Sequence, residues 1–299
     1  MHQKQPVPKV ANSIYCILAD FGNNVWAVVF VKNPIFISYT SLSDFLKCPR
    51  TYFLKNIYKD KEGLRIQIAS PYLSLGSVVH DTIKWYLQMR GQVTKDQLII
   101  KFKNLWPKYQ GKRGGFFDDT QEEEFKKRGL KMIDNFLNNI HVLEKTYHFK
   151  EFPKLNLLDE VILTGNFDFV GEREDGTLHL IDFKTGTHDE DNALQLYIYA
   201  ILAEENFGKK VSKASFWYLD RDNEPREIVL DPLESHIKWL KEKAEELKKA
   251  VEKNEWVCKN HPDLCMDCSN YQLIVEGKGQ FLFTDFRYRK QIYYLNHSV

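Results

Sequence analysis

The hydrophobic period of the chain changes near residue 155, and this change constrains the fold more than any other feature. Apolar residues recur at helical spacing over 38–58, 75–89, 95–106 and 120–147. Beyond residue 155, alternating apolar residues predict strands over 155–163, 165–172, 177–186, 212–220 and 224–230, of which we expect the first three to form a β-meander. Further helices are expected over 192–205 and 232–254. The order predicts an α/β fold with a central mixed β-sheet flanked by helices and a helical N-terminal part.

Residues 1–34 are expected to form an N-terminal extension. Its apolar stretch, 14–31, is interrupted by Asp20 and Gly22 and is too broken to span a bilayer. It is either a hairpin or a segment outside the folded unit. The main domain is expected over 35–275, with a helical insertion over about 92–150. Residues 276–299 are expected to form an aromatic, basic tail without a clear period, and 258–268 a cysteine-containing loop.

Charge and cysteine content limit the class of protein. The formal net charge is +1 at pH 7, which excludes a histone-like polybasic binder, so any nucleic-acid surface must be local. The five cysteines are an odd number, three of them lie between residues 258 and 268, and no secretory signal is apparent. This usage favours thiolate ligands in a reducing compartment over a disulfide framework. We therefore expect a cytoplasmic protein without a membrane partner.

Two aspartates and a lysine form the most informative constellation. In the strand LIDFKTG, Asp182 and Lys184 face one side about 7 Å apart, while the residues between and before them face the other. The preceding strand, GNFDFV, can place Asp168 beside Asp182, and two adjacent carboxylates repel each other unless a cation lies between them. An Asp-x-Lys triplet alone is usually a solvated strand face, because composition yields about six acid-x-base triplets by chance.

Three segments taken together reduce this objection, namely GSVVHD, GNFDFV, and IDFKTG followed by QLYIY. They resemble the motifs of the PD-(D/E)xK nuclease superfamily in its RecB/AddB-like exonuclease branch, to which CRISPR-associated RecB-like exonucleases are similar. The resemblance implies a restriction-endonuclease-like core and a divalent-metal-dependent deoxyribonuclease. Such an enzyme hydrolyses phosphodiester bonds in DNA repair, recombination or CRISPR spacer processing.

The resemblance also implies roles for individual residues. Mg²⁺ or Mn²⁺ would be bound by His80, Asp168, Asp182 and the backbone carbonyl of Phe183. Lys184 would orient or help to deprotonate the attacking water and offset phosphate charge. A lone histidine on an apolar helix is more often a core or surface residue. Two further catalytic candidates, expected to contact DNA or orient the lysine, or else to build core, are Gln195 and Tyr199.

A second metal site is suggested by Cys265 and Cys268, with Cys258 seven residues before the pair and Cys48 far upstream. In the RecB-like branch an early cysteine joins three late ones to hold a [4Fe-4S] cluster. That family pattern has a cysteine where this chain has Ile274, so Cys258 would have to substitute for it. Zn²⁺, with His261 available to replace a thiolate, and incidental thiols are the alternatives.

A local DNA-binding surface is predicted on the first helix at Lys47, Arg50 and Lys55. Single-stranded DNA or duplex ends are the expected partners. The chain lacks a Walker-type phosphate loop, so unwinding would need a helicase or another DNA-processing protein. Two other functions remain open at this point, a noncatalytic DNA-end-binding scaffold of the same fold and a structural zinc-binding protein. Intact acidic and lysine residues argue against the scaffold.

Overall fold

The fold is described here from a computed structural model. It describes residues 15–20, 26–31, 33–90, 92–149, 151–190 and 192–296. The strands are β1 Tyr15–Asp20, β2 Trp26–Val31, β3 Ile35–Ile37, β4 Arg65–Ile68, β5 Lys145–Thr146, β6 Lys154–Leu158, β7 Val161–Thr164, β8 Phe169–Glu172, β9 Leu178–Lys184, β10 Val211–Tyr218, β11 Arg226–Ile228, β12 Gln280–Asp285 and β13 Lys290–Tyr294. The α-helices are α1 Tyr39–Lys47, α2 Pro49–Tyr52, α3 Pro71–Gln88, α4 Lys95–Leu105, α5 Asp119–Asn138, α6 Leu194–Phe207, α7 Leu233–Lys253 and α8 Met266–Val275.

The central sheet, among the residues described, has five strands in the order β11-β10-β9-β8-β5. Strand β9 pairs antiparallel with β8 and parallel with β10, so the sheet is mixed. Because side chains alternate along β9, Leu180 packs into a core with α6 and α7, whereas Ile181 packs into a second core with α3, α4 and α5. Helices therefore cover both faces of the sheet, which confirms the predicted α/β class.

The predicted meander is only partly correct. Strands β8 and β9 form the expected hairpin, but β6 and β7 belong to a separate three-stranded sheet with β3. The chain changes sheets at Gly165, where a Cβ atom would lie 2.7 Å from Cδ1 of Leu202 on α6. Gly165 thus allows α6 to approach the backbone closely between the end of β7 and the start of β8.

Several other elements differ from the sequence prediction. The single helix predicted over 38–58 divides at Cys48, because Pro49 has no backbone N–H to continue the first helix and begins a new one. Helix α5 ends at Asn138, earlier than predicted, because a 3₁₀ turn and edge strand β5 follow it. The expected loop 258–268 passes into helix α8 at Met266, so Cys268 is helical.

Both ends of the chain contain antiparallel strand pairs. Strands β1 and β2 pair in the register of a hairpin, one of the two structures considered for the N-terminal segment. Residues beyond 277, which show no clear period in sequence, form β12 and β13, and β13 pairs parallel with β4. The tail's period is obscured because much of the hairpin is only partly buried. The assignment of residues 276–299 to a separate tail stays a prediction, as do the other domain boundaries.

Within the described ranges, none of the helices has the length and apolar character needed to traverse a bilayer.

Candidate active site and cysteine cluster

The two aspartates meet because of strand register. In the β8–β9 hairpin, Phe169 pairs with Ile181, so the preceding Asp168 lies at the same end of the hairpin as Asp182. Asp168 is held there by the backbone N–H of Phe183, which donates to its Oδ2 at 2.9 Å. Lys184 extends from the same face of β9 as Asp182, with Nζ 3.1 Å from Asp182 Oδ2. The structure therefore brings together the three side chains of the predicted acidic constellation.

Helix α3 supplies the fourth polar group of this site. His80 Nδ1 lies 3.0 Å from Asp168 Oδ1, and the imidazole is about one-third exposed, at 34%. Burial alone would lower the pKa of His80, but the adjacent carboxylate of Asp168 and the nearby Asp182 raise this pKa to about 9. The imidazole is therefore positively charged at neutral pH in the absence of another cation. In that state His80, which the sequence predicts to be a metal ligand, offsets the negative charge of Asp168.

Asp182 is the most perturbed acid of the site. Burial, followed by repulsion from Asp168, raises the pKa of Asp182 to about 7, although Lys184 and His80 act in the opposite direction. Burial also disfavours the charged form of Lys184, yet Asp182 and Glu190 raise its pKa above the ordinary value. Glu190 Oε1 lies 2.9 Å from Lys184 Nζ. Two carboxylates thus hold the lysine as a cation.

A buried amide connects the lysine with the acid. Gln195 on α6 accepts a hydrogen bond from Lys184 Nζ at 2.6 Å and donates through Nε2 to Asp182 Oδ1 at 2.7 Å. The same Nε2 lies 3.1 Å from the hydroxyl of Tyr199, which in turn donates to the carbonyl of Asn166. Both Gln195 and Tyr199 are buried. Their position favours the predicted role of orienting the lysine over direct contact with DNA.

The donor set of this site suits a hard divalent cation. Asp168 and Asp182 offer carboxylate oxygens, and His80 offers an imidazole nitrogen once a bound cation has displaced its proton, which are donors that Mg²⁺ and Mn²⁺ accept. Burial first, and then repulsion from Asp168, raise the pKa of Asp182, and a bound cation would favour its charged form. Among the described residues, however, the group of metal donors that converges to within 4.8 Å is a different one, formed by cysteines. The donor atoms of His80, Asp168 and Asp182 are therefore more widely separated than the four sulfur atoms of the cysteine cluster.

Four cysteines from distant parts of the sequence converge beside α8. Cys48, Cys258, Cys265 and Cys268 place their sulfur atoms within 4.8 Å of one another. Sγ of Cys48 lies 3.8 Å from that of Cys258 and 3.6 Å from that of Cys268. Burial raises the pKa of a thiol, but hydrogen bonds from the backbone of Lys259 and Thr51 lower the pKa of Cys48 to about 6. The cluster thus contains a thiol that ionises readily to a ligand.

The sulfur spacing can be compared with that of the two metal groups expected from sequence. A tetrahedral ion with Zn–S bonds near 2.3 Å places its sulfur ligands about 3.8 Å apart. A [4Fe-4S] cube has an iron at each of four corners, so its thiolate ligands lie about 6 Å apart. The two separations from Cys48, 3.6 Å and 3.8 Å, are close to the value for a single ion. Because four cysteines already provide the four ligands of a tetrahedral ion, the exposed His261 is not needed as a ligand.

The predicted DNA-binding residues have mixed environments. Lys55 Nζ lies 3.1 Å from Asp44 and 3.2 Å from Asp267, and Arg50 donates to Gln272 at 2.9 Å. These contacts connect the first helices to the segment around α8. Lys47 is exposed. A DNA-binding role for the three residues stays a prediction, and the contacts of Lys55 and Arg50 give them a structural role as well.

Sequence reasoning missed Glu190 and the C-terminal hairpin. Glu190 lies in the acidic run that joins β9 to α6, between the IDFKTG and QLYIY segments, and this position is the sequence signal for it. The hairpin places Arg287 and Tyr288 beside His80 and Asp168. Nothing in the local sequence pairs residues 280–294 with the helix that carries His80.

Comparison with known proteins identifies the class to which this fold and site belong. Residues 37–271 match the family model described as the PD-(D/E)XK nuclease superfamily. Because the match covers most of the chain, the protein belongs to this superfamily, and the resemblance noted from its motifs is confirmed at that level. The chain is also similar to the crystal structure of a candidate exonuclease from Eubacterium rectale, with 14% identity, 79% of this chain and 87% of that chain covered, and a TM-score of 0.47. No curated protein matches the chain significantly.

Proposed function

We propose that the protein is a divalent-metal-dependent deoxyribonuclease of the RecB/AddB-like branch that acts as an exonuclease on DNA. The observation that carries this proposal is the convergence of Asp168, Asp182 and Lys184 at one end of the β8–β9 hairpin. The superfamily match supports nuclease chemistry in general. The branch and the preference for ends follow from the motif resemblance and are proposed on that basis.

Each residue of the site has a task that its contacts allow. His80, Asp168, Asp182 and the carbonyl of Phe183 would hold Mg²⁺ or Mn²⁺, which when bound activates water and neutralises phosphate charge. Lys184, kept protonated by Asp182 and Glu190, orients the attacking water and contacts the phosphate. Gln195 and Tyr199 fix the lysine and the acid in this arrangement.

The proposed substrate and setting follow from this chemistry. DNA with a single strand or a duplex end is the substrate, in repair, recombination or CRISPR spacer processing within the cytoplasm. A helicase or another DNA-processing protein would open a duplex. A noncatalytic scaffold is disfavoured by the buried, charged network around Lys184. Apolar side chains in its place would stabilise the fold at least as well, so the charges indicate a chemical role.

We also propose that the cysteine cluster binds a single tetrahedral ion, with Zn²⁺ as the best match, and that it stabilises the fold. The sulfur separations of 3.6 Å and 3.8 Å support one ion over the [4Fe-4S] cluster of the family branch. Cys48 lies 210 residues before Cys258, so the ion would connect the first helices with the C-terminal segment. This ion would have no part in the chemistry at Asp182.

The nuclease proposal predicts metal-dependent release of nucleotides from labelled DNA. With Mn²⁺ or Mg²⁺, we expect the wild-type protein to degrade end-labelled single-stranded DNA, and EDTA to stop the reaction. Lys184→Ala should lower the rate by at least about a hundredfold, because it removes a cation beside the developing charge. The control is Lys238→Ala, an exposed lysine on α7. Equal rates for Lys184→Ala and wild type would contradict the assignment.

A further inference from the structure

A cleft leads toward the acidic site between helix α3 and the C-terminal hairpin β12–β13. The cleft encloses about 550 Å³ and is lined by Ser77, His80, Tyr109, Arg287 and Tyr288, among others. A smaller cavity of about 120 Å³ adjoins it. His80, Asp81, Arg287 and Tyr288 line both spaces, and the smaller one also contains Asp168 and Phe183. The two spaces therefore adjoin along these four residues, and we call them together the path, whose inner end is lined by Asp168 and Phe183, two of the proposed metal ligands.

The walls of this path carry an excess of cations. Four basic side chains, those of Lys108, Arg113, Arg287 and Lys290, line the cleft, whereas its acidic residues are Asp81 and Asp285. Asp285 accepts a hydrogen bond from the backbone N–H of Tyr288 at 3.1 Å. Cations along a groove are suited to the phosphates of a nucleic acid.

Aromatic rings accompany the cations. The Arg113 guanidinium lies over the ring of Phe283, 4.2 Å from its centroid, so this cation is held at the cleft wall. Tyr288 is 54% exposed at the hairpin tip. The guanidinium of Arg287 lies over its ring, 5.2 Å from the centroid, so a base would stack on the opposite face. The combination of phosphate-binding cations and an exposed ring is typical of surfaces that bind unpaired strands, because paired bases do not present their faces.

The hairpin is fixed to the domain by backbone and side-chain contacts. Strand β13 pairs parallel with β4 over four residue pairs, and Lys290 Nζ donates to Gln67 on β4 at 2.6 Å. The backbone carbonyl of Tyr288 accepts from Arg65 at 3.2 Å. These contacts set the tip over the path before any ligand binds. The hairpin lies beyond residue 271, where the match to the superfamily ends.

We infer that the C-terminal hairpin is a single-strand-binding wall that guides one DNA strand to the acidic site, with Arg287 contacting phosphate and Tyr288 stacking on a base. This inference rests on the proposed nuclease function and names its substrate as unpaired DNA. A space of about 550 Å³ has the size of a small-ligand pocket, which holds about two nucleotides of one strand and is too small for a duplex.

Binding measured without divalent metal tests this inference separately from cleavage. The probe is a fluorescein-labelled oligonucleotide of about 20 thymidines in EDTA, followed by fluorescence anisotropy, beside a duplex of mixed sequence and the same length. We expect Tyr288→Ala to weaken binding of the oligonucleotide by at least about fivefold and Tyr288→Phe to preserve it. Arg287→Ala should lower the slope of log affinity against log salt by about 0.7. Lys238→Ala on α7, whose side chain is exposed away from the cleft lining, is the matched control.

The outcomes separate the two proposals. Unchanged oligonucleotide binding by both Tyr288→Ala and Arg287→Ala would overturn the inference, as would an equal loss of duplex binding. If these variants lose oligonucleotide binding but the wild-type protein cleaves no DNA with Mn²⁺, the nuclease function fails and the hairpin remains a single-strand-binding element. Circular dichroism of each variant establishes that the fold is retained.

Discussion

Replacing Asp182 by Asn is expected to lower the rate of DNA cleavage by at least about a thousandfold, because the variant loses a charged donor to the cation and several kcal/mol of charge stabilisation with it. The change is nearly isosteric, and Gln195 can still donate to the remaining side-chain oxygen. The measurement is the single-turnover rate on end-labelled single-stranded DNA with saturating Mn²⁺.

The same substitution should leave the metal-free protein at least as stable as the wild type. Burial raises the pKa of Asp182 to about 7, above the value near 4 of an unfolded aspartate, so the folded state favours the protonated acid. The resulting cost to stability is absent below about pH 4, grows as pH rises and is complete above the folded pKa. Asn carries no such cost.

The control for the cleavage rate is Glu174→Gln, at an exposed position in the turn of the same hairpin. A cleavage rate for Asp182→Asn near that of Glu174→Gln would refute the assignment.

Replacing Cys48 by Ala is expected to remove the bound metal and to lower the thermal unfolding midpoint by at least about 10 °C. A structural zinc ion contributes on the order of 10 kcal/mol to folding in small domains, and each kcal/mol corresponds to about 2–4 °C in a domain of this size. Cys48 is buried, and its sulfur contacts two other ligands, so no solvent molecule can easily replace it. The measurements are metal analysis of protein purified without oxygen, and calorimetry.

Metal identity and a matched variant complete this test. The wild-type protein should be colourless and contain about one zinc per chain, and His261→Ala, at the exposed histidine of the same loop, should keep both metal and stability. Brown protein with about four irons per chain would overturn the single-ion proposal in favour of the cluster. Metal-free wild-type protein with the stability of Cys48→Ala would show that the thiols have no metal-binding role.

The acidic site could be predicted from sequence because its geometry depends on local rules. Strand alternation places Asp182 and Lys184 on one face, and a short hairpin with a turn at Gly176 places Asp168 beside them. Gln195 and Tyr199 are one helical turn apart on the next helix, so their shared direction follows from helix geometry. Each relation spans fewer than about 35 residues of chain.

The remaining features depend on contacts that no local pattern encodes. The separate β3-β7-β6 sheet requires a pairing between residues over a hundred positions apart, and β13 pairs with β4 across most of the chain. Glu190 lies in an irregular loop and contacts Lys184. The loop is positioned by Tyr218, whose hydroxyl accepts a hydrogen bond from the backbone N–H of Glu190 at 2.8 Å. The sulfur separations in the cysteine cluster likewise depend on how α2 and α8 pack.

Binding of Mn²⁺ to the protein without DNA tests the central claim most directly, since the claim is that Asp168 and Asp182 together hold a divalent cation. The electron paramagnetic resonance signal of free Mn²⁺ reports the unbound ion as protein is titrated. We expect the wild-type protein and Glu174→Gln to bind Mn²⁺ with the same affinity, and Asp168→Ala to bind it at least about tenfold more weakly. Equal affinity in all three proteins, or no binding by the wild type, would contradict the account.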